Sequence, residues 1–136
     1  MKRGTKTNNF NGPVAGMGID IVDIPRFRKI LASRGKRFID RIFLPGEKKY
    51  CRAKARPWIH YAGRFAAKEA VAKAFGTGIG GKISWRDIEI ISADLKAPVV
   101  KLSLRAQKLA RQRRIRRVFI SISHTRAYTT AAALLA

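Results

Sequence analysis

The stretch that most constrains the fold is Ile59 to Phe75, IHYAGRFAAKEAVAKAF, in which Ala62, Ala66, Ala67, Ala70, Ala72 and Ala74 recur between a few larger residues. Alanine is the strongest helix former, so the run predicts a helix over 59–75. GTGIGG follows at Gly76 to Gly81 and ends it. Glu69 and Lys73 are four apart and share a helix face, with Phe65 and Ala66 one turn back. Two readings fit this face: an exposed ion pair worth roughly 0.3–0.5 kcal/mol, or a carboxylate and an ammonium that meet partners from elsewhere in the chain at a site for metal and phosphate.

With 136 residues and 46% hydrophobic content, the chain has room for one core and one domain. Thirty Lys and Arg against eight Asp and Glu, a formal charge of +22, imply a polyanion, an acidic protein or an anionic surface as partner. The single cysteine, Cys51, excludes an internal disulfide and suits a reducing, cytoplasmic setting. No apolar run approaches the ~20 residues of a spanning helix. Residues 1–13, MKRGTKTNNFNGP, are polar and without apolar period, and are expected to be a disordered tail before one domain over 14–136.

Val14 to Ile24 alternates apolar with small or acidic residues and reads as a strand with Asp20 inside it. A strand aspartate is costly to bury unpaired, so Asp20 faces solvent or serves a site. Pro25 opens a helix that breaks at Gly35 and resumes over Lys36 to Phe43, with Arg26, Arg28, Arg34, Arg37 and Arg41 on its polar face. A short helix over Glu47 to Lys54 precedes the alanine-rich one. Strands are expected over Asp87 to Ile91, Pro98 to Leu102, Val118 to Ser123 and Ala127 to Leu135, with a Ser103-capped helix from Leu104 to about Arg113. His124 and Thr125 fall at the bend of the last hairpin. This order predicts an α+β domain, an antiparallel-dominated sheet packed on a long central helix.

Asp20 and Glu69 are the best carboxylate pair in an acid-poor chain, and magnesium is usually held by one or two carboxylates, water and substrate phosphates. Lys73 is then placed to neutralise a phosphate oxygen. The glycines of GTGIGG allow close backbone approach, and their amides are candidate diphosphate donors. The run is not a Walker motif, since no Lys-Ser/Thr follows at the required spacing.

GIDIVDI at 18–24, FLPGEKKYC at 43–51, RFAAKEAVAKAFGTGIG at 64–80, WRDIEI at 85–90 and SISHT at 121–125 together resemble the small 4'-phosphopantetheinyl transferases of the holo-[acyl-carrier-protein] synthase family, over nearly all of 14–136. The resemblance implies transfer of the phosphopantetheine arm of coenzyme A to a serine of apo acyl carrier protein, in support of fatty acid biosynthesis, with release of adenosine 3',5'-bisphosphate. It implies magnesium held by Asp20 and Glu69, catalysis by Glu69 and Lys73, and a serine proton taken by Glu69 or by water on the metal. Coenzyme A contacts are implied at Arg56, Arg64, Lys73, Gly76, Thr77, Gly78, His124 and Thr125. Arg26, Arg37 and Arg41 are implied to grip the acidic carrier, and the assembly is implied to be a homotrimer with sites between subunits. The connection after Ile91 departs from the family in lacking an Asn-Gly turn. His60 reads as a surface or packing histidine of the central helix, and Cys51 as a small packing residue. The alternative is a non-enzymatic nucleic-acid-binding module carried by the arginine-rich Arg105 to Arg117. Nonspecific nucleic-acid association beside catalysis, or peripheral attachment of the same segment to an anionic membrane, is a third reading.

Overall fold

The computed structural model describes residues 12–92 and 96–136, so the tail expected over 1–13 lies almost wholly outside the described residues. Strand β1, Gly16–Asp23, runs directly into helix α1, Ile24–Ile42. Asp23 makes the transition sharp: its Oδ1 accepts from the Arg26 amide at 2.9 Å, and Pro25 occupies the first turn, where no backbone donor is lost. The break in α1 falls at Gly35, with φ 60° and ψ −145°, a conformation that only glycine adopts readily. Helices α2, Pro45–Arg52, and α3, Pro57–Ala74, also open on prolines.

A single 3-10 turn at Trp85–Asp87 precedes β2, Ile88–Ile91. The strand starts one residue later than expected because the Asp87 carboxylate closes the turn, accepting from the Ser84 amide at 2.8 Å. β2 pairs antiparallel with β3, Val99–Leu102, in the register Ile88 to Leu102 and Ile91 to Val99. Of the connection lacking an Asn-Gly turn, residues 93–95 lie outside the described residues. Ser103 caps α4, Leu104–Gln112. Strands β4, Val118–His124, and β5, Tyr128–Leu135, form the final hairpin. His124 ends β4 and does not sit in the bend; Thr125 holds the bend, its Oγ1 accepting from the amides of Ala127 and Tyr128. The sheet order β1-β5-β4 is antiparallel throughout, which gives the expected α+β class.

Alternation along β1 is inverted relative to hydropathy. Gly16, Gly18, Asp20 and Val22 face inward, while Met17, Ile19 and Ile21 are 73%, 67% and 66% exposed. The cause is the closeness of α3: a Cβ on Gly18 would lie 1.9 Å from the Ala70 carbonyl oxygen, and one on Gly16 2.1 Å from that of Ala74. Backbone lies on backbone here, and only glycine on the strand and alanine on the helix permit it. Ala131, Ala133 and Leu135 of β5 are buried in the same core with Val71, Phe75, Ile83, Ile88 and Ile90. A second core under α1 gathers Phe27, Ile42, Phe43 and Tyr61.

Between the two cores Lys68 is fully buried. Its Nζ is surrounded by four oxygens, Glu47 Oε1 at 2.7 Å and the carbonyls of Ile42, Trp85 and Ile88 at 2.9, 3.0 and 2.7 Å. Glu47 in turn accepts from the amides of Leu44 and Ile90. One ion pair thus ties α1, α2, α3 and β2. Burial lowers the pKa of Lys68, and the adjacent Glu47 counteracts it.

Gly18→Ala is expected to lose at least the ~1–3 kcal/mol that overpacking typically costs, while Gly80→Ala, where a Cβ meets nothing within 4 Å, is expected to be neutral. Urea midpoints decide it, and matching midpoints for Gly18→Ala and the parent chain would refute the close approach. Lys68→Met strands a buried carboxylate and is expected to cost about 3–5 kcal/mol. Adding Glu47→Leu should restore part of that stability in the same assay; no restoration would mean that the loss does not come from the stranded charge.

Candidate functional site

The close seating of β1 on α3 delivers Asp20, two residues beyond Gly18 on the same strand face, to the helix face carrying Glu69 and Lys73. Asp20 and Glu69 line one cleft with Val22, Arg26, Arg34 and Phe65. The i,i+4 pair expected between Glu69 and Lys73 does not form. Lys73 turns to β1, where its Nζ donates to Asp20 Oδ1 at 3.1 Å and to the Ile19 carbonyl at 3.0 Å, because two acceptors there outbid one carboxylate. Among the described residues no hydrogen bond or ion pair engages Glu69. Burial raises its pKa, Asp20 raises it further, and Lys73 opposes them. A half-buried carboxylate beside a second one suits a divalent cation. No group of three or more His, Cys, Asp or Glu that could hold a metal occurs among the described residues; what the cleft offers a cation is two carboxylates, a donor count of the kind magnesium takes when water and substrate phosphates supply the rest.

The glycine turn plays a different part from the one its composition suggests. The Gly76 amide donates to the Lys73 carbonyl, and those of Thr77 and Gly78 donate to the Ala72 carbonyl. With φ of 75° at Gly76 and 61° at Gly78, this is a helix C-cap. The amides of Gly76, Thr77 and Gly78 are committed to α3 and that of Gly80 to the Ile83 carbonyl, so these four do not point out as diphosphate donors. What the turn offers is backbone surface without Cβ atoms. The Arg113 guanidinium donates to the Phe75 carbonyl beside it.

The remaining expected coenzyme residues do not join the carboxylates. Arg64 lies five residues before Glu69, about 140° round the helix. It shares a separate depression with His124, His60 and Tyr50. Arg56 is exposed at the N-terminal boundary of α3; Thr125 adjoins His124 in the hairpin bend. Of the basic residues of α1, Arg26 lines the carboxylate cleft, whereas Arg37 and Arg41 line an adjoining depression that shares Arg34 and Phe38 with it. The nearby acid Asp40 is held by Lys48 at 2.8 Å, so this surface remains cationic. Sequence reasoning missed the Glu47–Lys68 pair and the Arg113 tie. The signal for the first was a lysine with Ala67, Val71 and Ala72 among its helical neighbours.

A family model described as the 4'-phosphopantetheinyl transferase superfamily matches residues 16–132. The chain is 44% identical over 122 residues to a Geobacter sulfurreducens protein named holo-[acyl-carrier-protein] synthase, covering 90% of this chain and 97% of that one. A Chlamydia trachomatis protein of the same name is 45% identical over 119 residues, covering 88% and 97%. Among solved structures, that of the Neisseria meningitidis holo-[acyl-carrier-protein] synthase matches with a TM-score of 0.85 at 34% identity, covering 91% of this chain and 99% of that one. The Helicobacter pylori enzyme in complex with coenzyme A matches with a TM-score of 0.78 at 33% identity, covering 88% and 99%.

Because Glu69 is harder to ionise in the folded state, its charged form opposes folding, and stability rises as pH falls through its folded-state pKa toward the ordinary carboxylate value. Carboxyl-resolved NMR titration is expected to place Glu69 above an ordinary glutamate, with Asp20→Asn moving it down and Lys73→Met moving it up. An unshifted Glu69 in the parent chain, or one indifferent to Asp20→Asn, would show that the two carboxylates are not neighbours.

Proposed function

The chain belongs to the 4'-phosphopantetheinyl transferase superfamily, and we propose that it moves the 4'-phosphopantetheine arm of coenzyme A onto a serine of apo acyl carrier protein. The serine oxygen forms a bond to the phosphorus bearing the pantetheine arm, the diphosphate bridge to the nucleotide breaks, and adenosine 3',5'-bisphosphate leaves. The observation that carries this reading is the pairing of Asp20 and Glu69 in a cleft that continues into the cationic face of α1.

Asp20 and Glu69 would hold magnesium, which would supply positive charge to offset that of the phosphates. Lys73 Nζ, half exposed and tethered to Asp20, is within reach to leave that tether for a phosphate oxygen as charge grows there. Glu69, or water in the cleft beside it, takes the serine proton. Arg26, Arg37 and Arg41 dock the acidic carrier electrostatically, with Phe38 and Phe65 as apolar floor. Arg56, Arg64, His124 and Thr125 contact coenzyme A, and Gly76 to Gly78 let it pass close to the backbone.

The active assembly is a homotrimer in which the carboxylate cleft of one subunit faces Arg64 of the partner subunit. Two features support it: the implied coenzyme residues sit on different faces of α3, and the outer face of the sheet leaves Met17, Ile19 and Ile21 exposed. The buried free thiol of Cys51, its pKa pushed up to about 12 by burial, is inert and suits the cytoplasm. No described helix is long and apolar enough to cross a membrane. The nucleic-acid alternative loses ground because Arg105 is bound to Asp87 and Arg113 to the Phe75 carbonyl. Burial works to raise the Asp87 carboxyl, but hydrogen bonds from Arg105, Ser103 and Ser84 outweigh it and hold it well below the usual carboxylate range.

Intact-mass measurement of apo acyl carrier protein after incubation with coenzyme A, magnesium and the protein is expected to show a phosphopantetheine adduct. Asp20→Ala and Glu69→Ala should each lose on the order of 100-fold or more in rate with unchanged circular dichroism, and native mass spectrometry should give a trimer. Absence of the adduct with the parent chain, or full activity of both variants, would refute the reading.

A further inference from the structure

On the face of α3 turned away from the carboxylates, His60 and Arg64 lie one helical turn apart. Both line the depression that also receives His124 from the end of β4. Arg64 is only 4% exposed, yet its Nε and Nη2 have no hydrogen-bond partner. Its guanidinium stacks 3.9 Å from the centre of the Tyr50 ring, an arrangement that supports the plane of the group and leaves its N–H edge open. A buried guanidinium with unmet donors is costly, and an anion of bidentate geometry removes the penalty. Every charged or titratable group of the described residues lining the depression with His60 is basic or neutral: Tyr50 on α2, Lys54 in the turn after it, Arg64 on its own helix, His124 on β4 and Lys96 before β3. No Asp or Glu of the described residues lines the depression.

We propose, building on the coenzyme A reading above, that a phosphate group of coenzyme A seats against Arg64 in this depression and that His60 takes up a proton as it does so, which makes substrate binding proton-linked. His60 lies edge-on to Tyr50, their ring centres 5.8 Å apart, one turn from the guanidinium that the phosphate occupies.

The direction follows from the surroundings. In the free protein burial, then Arg64, Lys54 and His124, push His60 below the ordinary imidazole value, so it is neutral at pH 7. A phosphate dianion cancels the repulsion from its cationic neighbours and adds attraction, which raises the bound-state pKa. Affinity therefore tightens as pH falls through the bound-state pKa and levels off below the free-state one. Protonation of the phosphate itself near pH ~6 works in the opposite sense, so the contrast with a His60 variant isolates the imidazole.

Isothermal titration of the assembled protein with coenzyme A, in two buffers of different ionisation enthalpy at pH 7, measures the protons taken up. Uptake by the parent chain should exceed that of His60→Phe by a substantial fraction of one proton. The variant should also lose affinity slope with pH, up to tenfold per unit. His60→Asn provides the same contrast should the phenylalanine variant fold poorly. Equal uptake in the parent chain and a folded His60 variant would overturn the inference. Arg64→Met separates this failure from that of the underlying reading. Unchanged coenzyme A affinity in Arg64→Met would remove the depression from the coenzyme site altogether. A loss of tenfold or more with normal proton uptake in the His60 variants would keep the site and dismiss the role of His60.

Discussion

Contact between the backbones of β1 and α3 is the constraint from which the carboxylate site follows. Side chains normally hold a helix well clear of a sheet, and at that distance Asp20 could not meet residues of α3. Here Gly16 and Gly18 on one side and the alanines of α3 on the other remove that spacer. The next inward residue of the strand, Asp20, then meets Lys73 within hydrogen-bond distance and raises the pKa of Glu69. Alanine therefore has two roles in α3. It supplies helix propensity, which any reading of composition reveals, and it supplies thinness, which appears only when the partner strand is in place.

The distribution of acids follows from their scarcity. Asp23 caps a helix, Asp40 holds Lys48, Glu47 holds Lys68 in the interior, and Asp87 holds Arg105 while closing a turn. These carboxylates position backbone as much as they neutralise charge. The surplus of lysine and arginine is left on the exterior, concentrated on α1 and on the stretch from α4 to β4. Glu69 stands apart from the committed acids, half-buried and unengaged among the described residues, next to Asp20. Such an arrangement suits a compensating cation.

Much of the architecture was legible in the sequence. The alanine run, the proline starts, the Gly35 break, the Ser103 cap and the alternation of the strands each reflect local physics, and the elements lie within a few residues of where those signals put them. The meeting of Asp20 and Glu69 in one cleft was legible too, through the cost of a strand aspartate and the rarity of acids. What escaped depended on tertiary placement. The partner of Lys73 was misjudged because helical spacing knows nothing of a strand over fifty residues earlier. The amides of Gly76 to Gly78 were taken for phosphate donors because composition does not tell whether a glycine turn faces outward or folds back on its own helix.

The order of strands in the main sheet bears on how the protein comes into being. β5 is hydrogen-bonded on both sides, to β1 and to β4, and it follows every other element in the chain; Gly16 pairs with Leu135. A growing polypeptide leaves the ribosome with β1 already exposed and its central neighbour not yet synthesised. The sheet closes only after nearly the whole domain has emerged, over a loop of more than a hundred residues, and such long-range closure is slow. Throughout that interval the backbone edge of β1 that β5 will occupy is open to wrong strands, a hazard rooted in strand order itself.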